Sequence, residues 1–232
     1  MATTARNRII FIALALAAAA VFVRLGVWQL HRRVERLARN ALVTHRYDAP
    51  SVDVASLPRD TADARFRRVR VIGQVDYDHE LTYASRSYKG SPGVNLMTPV
   101  HLPGSDTVVI VDRGWVYSPD GSTLDHTKWH DVDSTFVGYV EEMPSTGGTS
   151  FTSKPTVIAH LSYPVVAKAL PYPVLPFYVV ALGDSANAPD RVARLSLPPL
   201  DAGPHLSYAI QWFCFAIIAV VGAAIVVRRG DG

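Results

Sequence analysis

Cysteine is almost missing from this chain of 232 residues: the only one is Cys214. With no second thiol there is no intrachain disulfide and no CxxC pair, which excludes a dithiol oxidoreductase and a copper carrier built on paired cysteines. Methionine stands only at positions 1, 97 and 143, too sparse for a thioether-rich Cu(I) site. No GxSxG elbow, HExxH helix, glycine-rich phosphate loop or EF-hand loop occurs, and no internal repeat is evident. The signatures of serine hydrolases, zinc proteases, nucleotide-binding loops and calcium sensors are therefore lacking. Acidic excess is also missing: the formal charge is +3 and the isoelectric point about 9.1. Because the arginines cluster beside an apolar stretch, that balance points to a membrane surface, not to nucleic acid.

Two apolar runs organise the rest. From Leu206 to Val227 no residue carries a formal charge. As a helix at 1.5 Å per residue this stretch reaches about 33 Å, enough to cross a hydrocarbon core of roughly 30 Å. It opens on His205, carries Tyr208, Gln211 and Trp212 at its entry end, and closes on Arg228 and Arg229. This is the aromatic and basic flanking expected of a transmembrane helix. Helical spacing stacks His205, Tyr208, Trp212 and Phe215 on one face. The first run, Ile9 to Val23, is short, but Arg24 can snorkel and the helix can continue to Leu30. A cleaved signal peptide with Ala18, Ala19 and Ala20 at its end is the less favoured reading, because the helical pattern carries on past the alanines. Small residues at Ala15, Ala19, Ala219 and Ala223 would let the two helices approach closely.

Beyond Leu30 a basic helical stretch, HRRVERLARNALVTHR, is expected to continue the first helix out of the bilayer near lipid headgroups. Counting Lys and Arg beside the spans places the central region in the cytoplasm, but that rule weakens for a translocated loop of this length. Pro50 to Asp63 is a polar connector, after which hydrophobic periodicity changes from helix to strand. Strands are expected at Phe66–Val75, His79–Tyr88, Val94–His101, Val108–Val111, Thr135–Glu141, Phe177–Leu182 and Arg191–Leu197, with a short helix at Leu161–Leu170. Turns fall at Ser91–Gly93, Pro103–Asp106 and Ser118–Gly121, and Met143–Pro155 reads as a loop. The fold class is thus membrane-anchored and mainly β: two transmembrane helices flank an extramembrane antiparallel sheet or partly closed β-barrel with minor helix.

Three groups carry candidate chemistry. His126 and His130, near Asp125, Asp131 and Asp133, have the spacing to chelate zinc or copper from one helical face, but no glutamate base lies between them and a polar surface loop is favoured. Arg113 with Asp112 and Trp115 ends the Val108–Val111 strand. It is a candidate partner-binding corner, although an arginine that closes a hydrogen-bonded turn beside a core tryptophan is the favoured role. His205 is either an interface or capping residue, or an imidazole ligand for a flat apolar cofactor such as haem, set among aromatic rings.

Five co-linear motifs then line up: LGVWQLHRR at Leu25–Arg33, FRRVRVIGQVD at Phe66–Asp76, SYKGSPGVNLMTPV at Ser87–Val100, VVIVDRGWV at Val108–Val116 and HLSYAIQWF at His205–Phe213. In these the chain resembles the Surfeit locus protein one family of assembly factors for haem-copper cytochrome oxidases, while Gly147–Leu200 departs from the pattern. The resemblance implies a non-enzymatic, multi-pass protein of a bacterial plasma membrane. Residues 1–8 would be a cytoplasmic N-terminus, 9–30 the first transmembrane helix, 31–49 a basic juxtamembrane helix, 50–204 a periplasmic β-rich domain, 205–227 the second transmembrane helix and 228–232 a cytoplasmic tail. It further implies help in inserting haem a into, or maturing, the haem a/copper centre of oxidase subunit I. Partners would be that subunit, the haem a synthesis machinery and membrane lipid. Haem a would be held transiently by His205 as candidate axial ligand, with Tyr208, Trp212 and Trp28 as pocket walls, and no resident metal is expected. The alternative is a cofactor-free membrane scaffold that stabilises an oxidase subunit during assembly. A membrane-anchored hydrolase or metalloenzyme has no nucleophile–base pairing to support it.

Overall fold

A computed structural model describes residues 2–130, 134–146, 156–183, 191–197 and 200–228. The chain divides into two compact units, Met1–Leu42 with Pro199–Gly232, and Val43–Pro198.

The first unit is built on α1 (Ala2–Asp48) and α4 (His205–Arg228). Both are long and apolar enough to cross a membrane. α1 runs unbroken through Leu30 and His31; its 47 residues reach about 70 Å, more than twice a hydrocarbon core, so the basic stretch is the continuation of the apolar one. The two helices meet along small residues. Ala19, Ala209, Ala216 and Ala223 are buried, and a Cβ on Gly26 would come within 2.6 Å of the Phe213 ring. Ala19 and Gly26 are seven apart, as are Ala209, Ala216 and Ala223, the repeat that keeps one face on a neighbouring helix. Ala19 and Ala223 fall on the buried seam, as their size suggests. Along the apolar parts of both helices the outward residues are exposed: Ile9, Leu14, Ile217 and Ile218 are 67%, 65%, 62% and 65% exposed.

The second unit is a nine-stranded sheet: β1 (Val52–Asp53), β2 (Arg68–Ile72), β3 (Gln74–Val75), β4 (Leu81–Tyr88), β5 (Ser91–His101), β6 (Val108–Tyr117), β7 (Thr135–Glu142), β8 (Val157–Ile158) and β9 (Val174–Ala181). Two short helices, α2 (Thr61–Ala64) and α3 (Tyr163–Ala169), accompany it. The strand order is β1-β2-β7-β9-β6-β5-β4-β8, with β3 on β5. The expected antiparallel sheet or partly closed barrel is corrected here, for the sheet is mixed and open. β1 lies parallel to β2, β8 to β4 and β9 to β6. Parallel neighbours need a crossover connection, and reading strands from periodicity registers only the hairpins between sequence neighbours. α3 supplies such a crossover before β9, packing Val165 and Val166 into the cluster that holds Ile110 and Ile158.

The Val108–Val111 run behaves as a strand covered on both faces. Val109 and Val111 enter the cluster around Phe177, whereas Val108 and Ile110 enter the α3 cluster, and all four are fully buried. Two other expectations are corrected. The Ser91–Gly93 segment is strand, and the turn is Lys89–Gly90, with φ of 50° and 83°. Two positive-φ residues between paired Tyr88 and Ser91 make the tight turn whose twist suits a hairpin. Arg191–Leu197 forms no strand; Ala193 alone bridges Trp115, through two backbone hydrogen bonds of 2.9 Å. Gly114 explains why that bridge forms: its φ is 123°, and a Cβ there would stand 2.3 Å from the Ala193 carbonyl oxygen.

Candidate functional site

In the first unit the site begins with the loop before α4. Gly203 has a φ of 66°, which a residue with a side chain adopts at a cost of about 1 kcal/mol or more. Asp201 fastens this loop to α1. Its backbone carbonyl accepts from Arg36 Nε at 3.0 Å and Asn40 Nδ2 at 2.8 Å, and its carboxylate accepts from Arg36 Nη2 at 2.9 Å and from the Gly203 amide at 3.1 Å. The pairings run antiparallel down the helices: Asn40 with Asp201, Gln29 with His205, Phe22 with Trp212, Arg8 with Val227.

His205, the first residue of α4, is half-buried. Its Nδ1 lies 2.9 Å from Gln29 Oε1. An amide oxygen accepts, so Nδ1 donates and Nε2 keeps the lone pair; a ring nitrogen held in this way fixes the tautomer and aims the other nitrogen. The Nε2 edge faces the side where Gly203 carries no Cβ; a methyl there would sit 3.4 Å from Nε2. This donor set fits one axial position on a haem iron. The aromatic surroundings are thinner than helical spacing suggests. Trp212 is stacked on Phe22 at 5.7 Å and set edge-on to Phe215 at 5.9 Å, within the helix seam. Tyr208 and Trp28 are exposed, and among the described residues the ring pairs at this end are Phe22–Trp212, Phe22–Phe215 and Trp212–Phe215, none with His205. Trp28 lines an apolar groove of about 470 Å³ on α1 with Arg24, Leu25, Val27 and His31. Gln29, Asp201 and Gly203 escaped the sequence reading. Gln29 was legible as the one amide inside the motif that ends the first apolar run, and Gly203 as the glycine two residues before the histidine.

In the second unit, Arg113 is the extra residue of a β-bulge. Leu96 pairs with Gly114 and Met97 with Asp112, so Arg113 has no partner on β5. A bulge re-aims its side chain, and here the guanidinium goes inward and is fully buried. Nη2 donates to Glu80 Oε2 at 2.6 Å, Nε to the same oxygen at 3.1 Å and to Thr98 Oγ1 at 2.7 Å, and Nη1 to the Trp129 carbonyl at 2.5 Å. Thr98 also donates to Glu80. Burial raises the Glu80 pKa, but hydrogen bonds from His126, Thr98 and Arg113 and the guanidinium charge outweigh it, and the carboxyl ends below its ordinary value. The neighbouring Asp112 goes the other way: burial pushes it up to about 6, against hydrogen bonds from Asn95 and the Gly114 amide. The structure therefore puts Arg113 out of a partner's reach, and leaves Trp115 half-buried on the opposite face, over Gly93.

His126 and His130 do not share a helical face. They flank a single 3-10 turn, His126–Trp129. His126 uses both ring nitrogens, Nδ1 with Glu80 at 2.7 Å and Nε2 with Thr82 at 2.9 Å, and His130 stacks on Tyr77 at 4.0 Å. Asp131 and Asp133 lie outside the described residues. A further polar cluster joins Asp76 to His79 Nδ1 at 2.8 Å and to the Tyr172 hydroxyl at 2.7 Å. Burial raises the Asp76 pKa, but these hydrogen bonds outweigh it and hold the carboxylate below its usual range.

Comparison with known proteins bears on which arrangement matters. The SURF1 family matches residues 16–217. An uncharacterized SURF1-like protein of Mycobacterium tuberculosis is 28% identical over 209 residues, covering 87% of this chain and 76% of that one. A SURF1-like protein of Rickettsia felis is 27% identical over 209 residues, covering 87% of this chain and 89% of its own length. Surfeit locus protein 1 of the fish Takifugu rubripes is 27% identical over 107 residues, 40% of this chain and 45% of that protein. No catalytic family is indicated by these likenesses.

Proposed function

Because the chain belongs to the SURF1 family, known generally as oxidase assembly factors, we propose that it assists maturation of the haem a/copper centre in subunit I of a haem-copper oxidase, holding haem a transiently at His205. The observation that carries this reading is the His205–Gln29 hydrogen bond of 2.9 Å, which commits Nδ1 as donor and leaves Nε2 with its lone pair beside Gly203. Gln29 orients the imidazole, the Asp201 loop fixes where α4 begins, and Tyr208 and Trp28 supply exposed aromatic surface near either end of that pair. When bound, haem a supplies the iron that takes the imidazole nitrogen and the macrocycle that aromatic side chains can cover.

The two helices are read as membrane anchors in a bacterial plasma membrane. Along Ile9–Trp28 of α1 and along α4 many large apolar residues are exposed, a surface far larger than soluble proteins leave uncovered. The strand domain is read as extracytoplasmic, where the oxidase centre is completed. Protein purified from membranes that also make haem a should carry a Soret band, lost in His205→Ala and weakened in Gln29→Ala. An unchanged spectrum in His205→Ala removes the ligand assignment.

A second reading, a cofactor-free scaffold that steadies an oxidase subunit, is favoured by Trp212, whose ring is engaged with Phe22 instead of facing His205. On that reading deletion of the gene lowers oxidase assembly, and His205→Ala restores it in full.

A further inference from the structure

One face of the β4–β5–β6 ladder carries aromatic rings packed on one another at the sheet surface. Register places Arg86 opposite Gly93, Gly93 opposite Tyr117, and Asn95 opposite Trp115. Strand alternation puts these on one face and Val94, Leu96 and Val116 on the other, where they form a core cluster. Gly93 has no side chain, and Trp115 lies over it: a Cβ there would fall 2.4 Å from the indole nitrogen. Around this low point Tyr88 sits 5.5 Å from Trp115, and Tyr117 6.4 Å. Tyr117 is 57% exposed. Two cations rim the rings. The Arg86 guanidinium is 4.3 Å from the Tyr83 ring and the Lys89 ammonium 5.2 Å from the Tyr88 ring. Among the described residues neither forms an ion pair with a carboxylate.

Contiguous surface aromatics bordered by positive charge have the composition of a protein interface: ring anchors at the centre, charge at the rim. We propose that this face docks an acidic, extended segment of a partner protein, its carboxylates meeting Arg86 and Lys89 and its apolar groups crossing Tyr88, Trp115 and Tyr117. Three strands span about 10 Å, a width that suits one extended chain. A lipid surface takes the same residue types but draws on rings that protrude into the headgroup layer; here Tyr88 and Trp115 are half-buried, and the residues between the rings on this face are Ser91, Gly93 and Asn95. The inference is independent of haem binding, which engages other residues.

The test uses the full-length protein in phosphatidylcholine nanodiscs and a fluorescein-labelled peptide of alternating Glu and Pro, about twelve residues long, an extended acidic probe. A matched Lys–Pro peptide and phosphatidylserine vesicles are the other arms. The Glu–Pro peptide should bind saturably and the Lys–Pro peptide should not. The surface variant Arg86→Glu/Lys89→Glu should weaken Glu–Pro binding at least about tenfold, as loss of rim charges and their anchors does, and should gain binding of the Lys–Pro peptide. Tyr117→Ser, on the most exposed ring, should weaken it several-fold with unchanged thermal unfolding. Absence of saturable binding, equal binding of both peptides, or an unmoved Kd in the charge-reversed protein overturns the proposal. So does co-flotation with phosphatidylserine vesicles that disappears on charge reversal. The Soret band of the haem-loaded protein should be the same in all these variants, so failure here and failure of the haem assignment are read separately.

Discussion

Replacing Glu80 by glutamine removes one charge from the best-buried ion pair in the sheet domain. The Arg113 and Glu80 side chains are 0% and 1% exposed, so water does not replace the lost carboxylate charge. The amide that replaces the carboxylate still accepts from Thr98, and Arg113 still reaches the Trp129 carbonyl and the Tyr77 ring at 5.0 Å. The loss is therefore the attraction between the buried guanidinium and this carboxylate, about 3–5 kcal/mol. Arg113→Met should also destabilise, leaving the Glu80 carboxylate with its hydrogen bonds from His126 and Thr98 but without the guanidinium charge. The double variant Glu80→Gln/Arg113→Met buries no net charge, and removing both members of such a pair is commonly close to neutral. Its loss should fall well below the sum of the singles. For a domain of this size each kcal/mol moves the midpoint by about 2–4 °C, so Glu80→Gln should melt on the order of 10 °C lower and the double should recover much of that. The assay is thermal unfolding of the full-length protein in detergent, followed by strand circular dichroism, which separates the sheet from the helix pair. If the two losses add to within about 0.5 kcal/mol, the charges are not coupled and the account of the bulge as a device for burying Arg113 is refuted.

The same geometry fixes three further outcomes. Asp112 titrates at about 6 when folded against 3.8 unfolded; the folded state holds the proton more tightly, so stability falls as pH rises from about 4 to 6 and the penalty, about 3 kcal/mol, is complete above 6. Asp112→Asn should raise the melting temperature at pH 7.5 and by only about a third as much at pH 4.5, whereas Glu80, whose pKa is lowered, contributes stability that is lost only as pH falls below its unfolded value of 4.5. Gly203→Ala should cost about 1–2 kcal/mol at its positive φ and crowd His205 Nε2, reducing the Soret band more than it reduces stability; an intact band would show that the missing side chain at Gly203 has no role in ligation. Gly26→Leu should wedge α1 from α4 against Phe213 and weaken the Soret band as much as Gln29→Ala does, with no change in sheet unfolding.

Much of the fold was legible because its signals are local. The two apolar runs declare themselves by length, the alternation of Arg68, Val69, Arg70 and Val71 matches an exposed-buried pattern in β2, and four consecutive β-branched residues gave the central strand. What stayed hidden depends on distant parts of the chain. Nothing within Val174–Ala181 says that it pairs parallel to β6, and nothing within VDRGWV says that Arg113 is the bulged residue. Only the register against Leu96 and Met97 decides that. The same holds at the candidate site: His205 was visible as a lone histidine at a helix mouth, but its partner lies 176 residues away on α1. Helical spacing placed Trp212 beside His205, yet spacing cannot tell that its ring is turned into the seam with Phe22.

The choice of Gln29 as that partner has a chemical consequence. Gln29 and His205 are both half-buried, and polar groups withdrawn from water without a hydrogen bond cost free energy, so each holds the other in place. A carboxylate would hold the imidazole more strongly, raise the basicity of Nε2 and add a charge to an apolar setting that penalises it. An amide oxygen orients the ring and fixes the tautomer with no charge added. Permanent haem proteins gain from strong ligation and enclosure, whereas a protein that must give its cargo away gains from a ligand that is well aimed and weakly reinforced. On the proposed reading, Gln29→Glu should therefore tighten haem retention while slowing its transfer, with the Soret band kept and oxidase maturation impaired. Equal or faster maturation in that variant would mean that the strength of the histidine–iron contact is not what limits release.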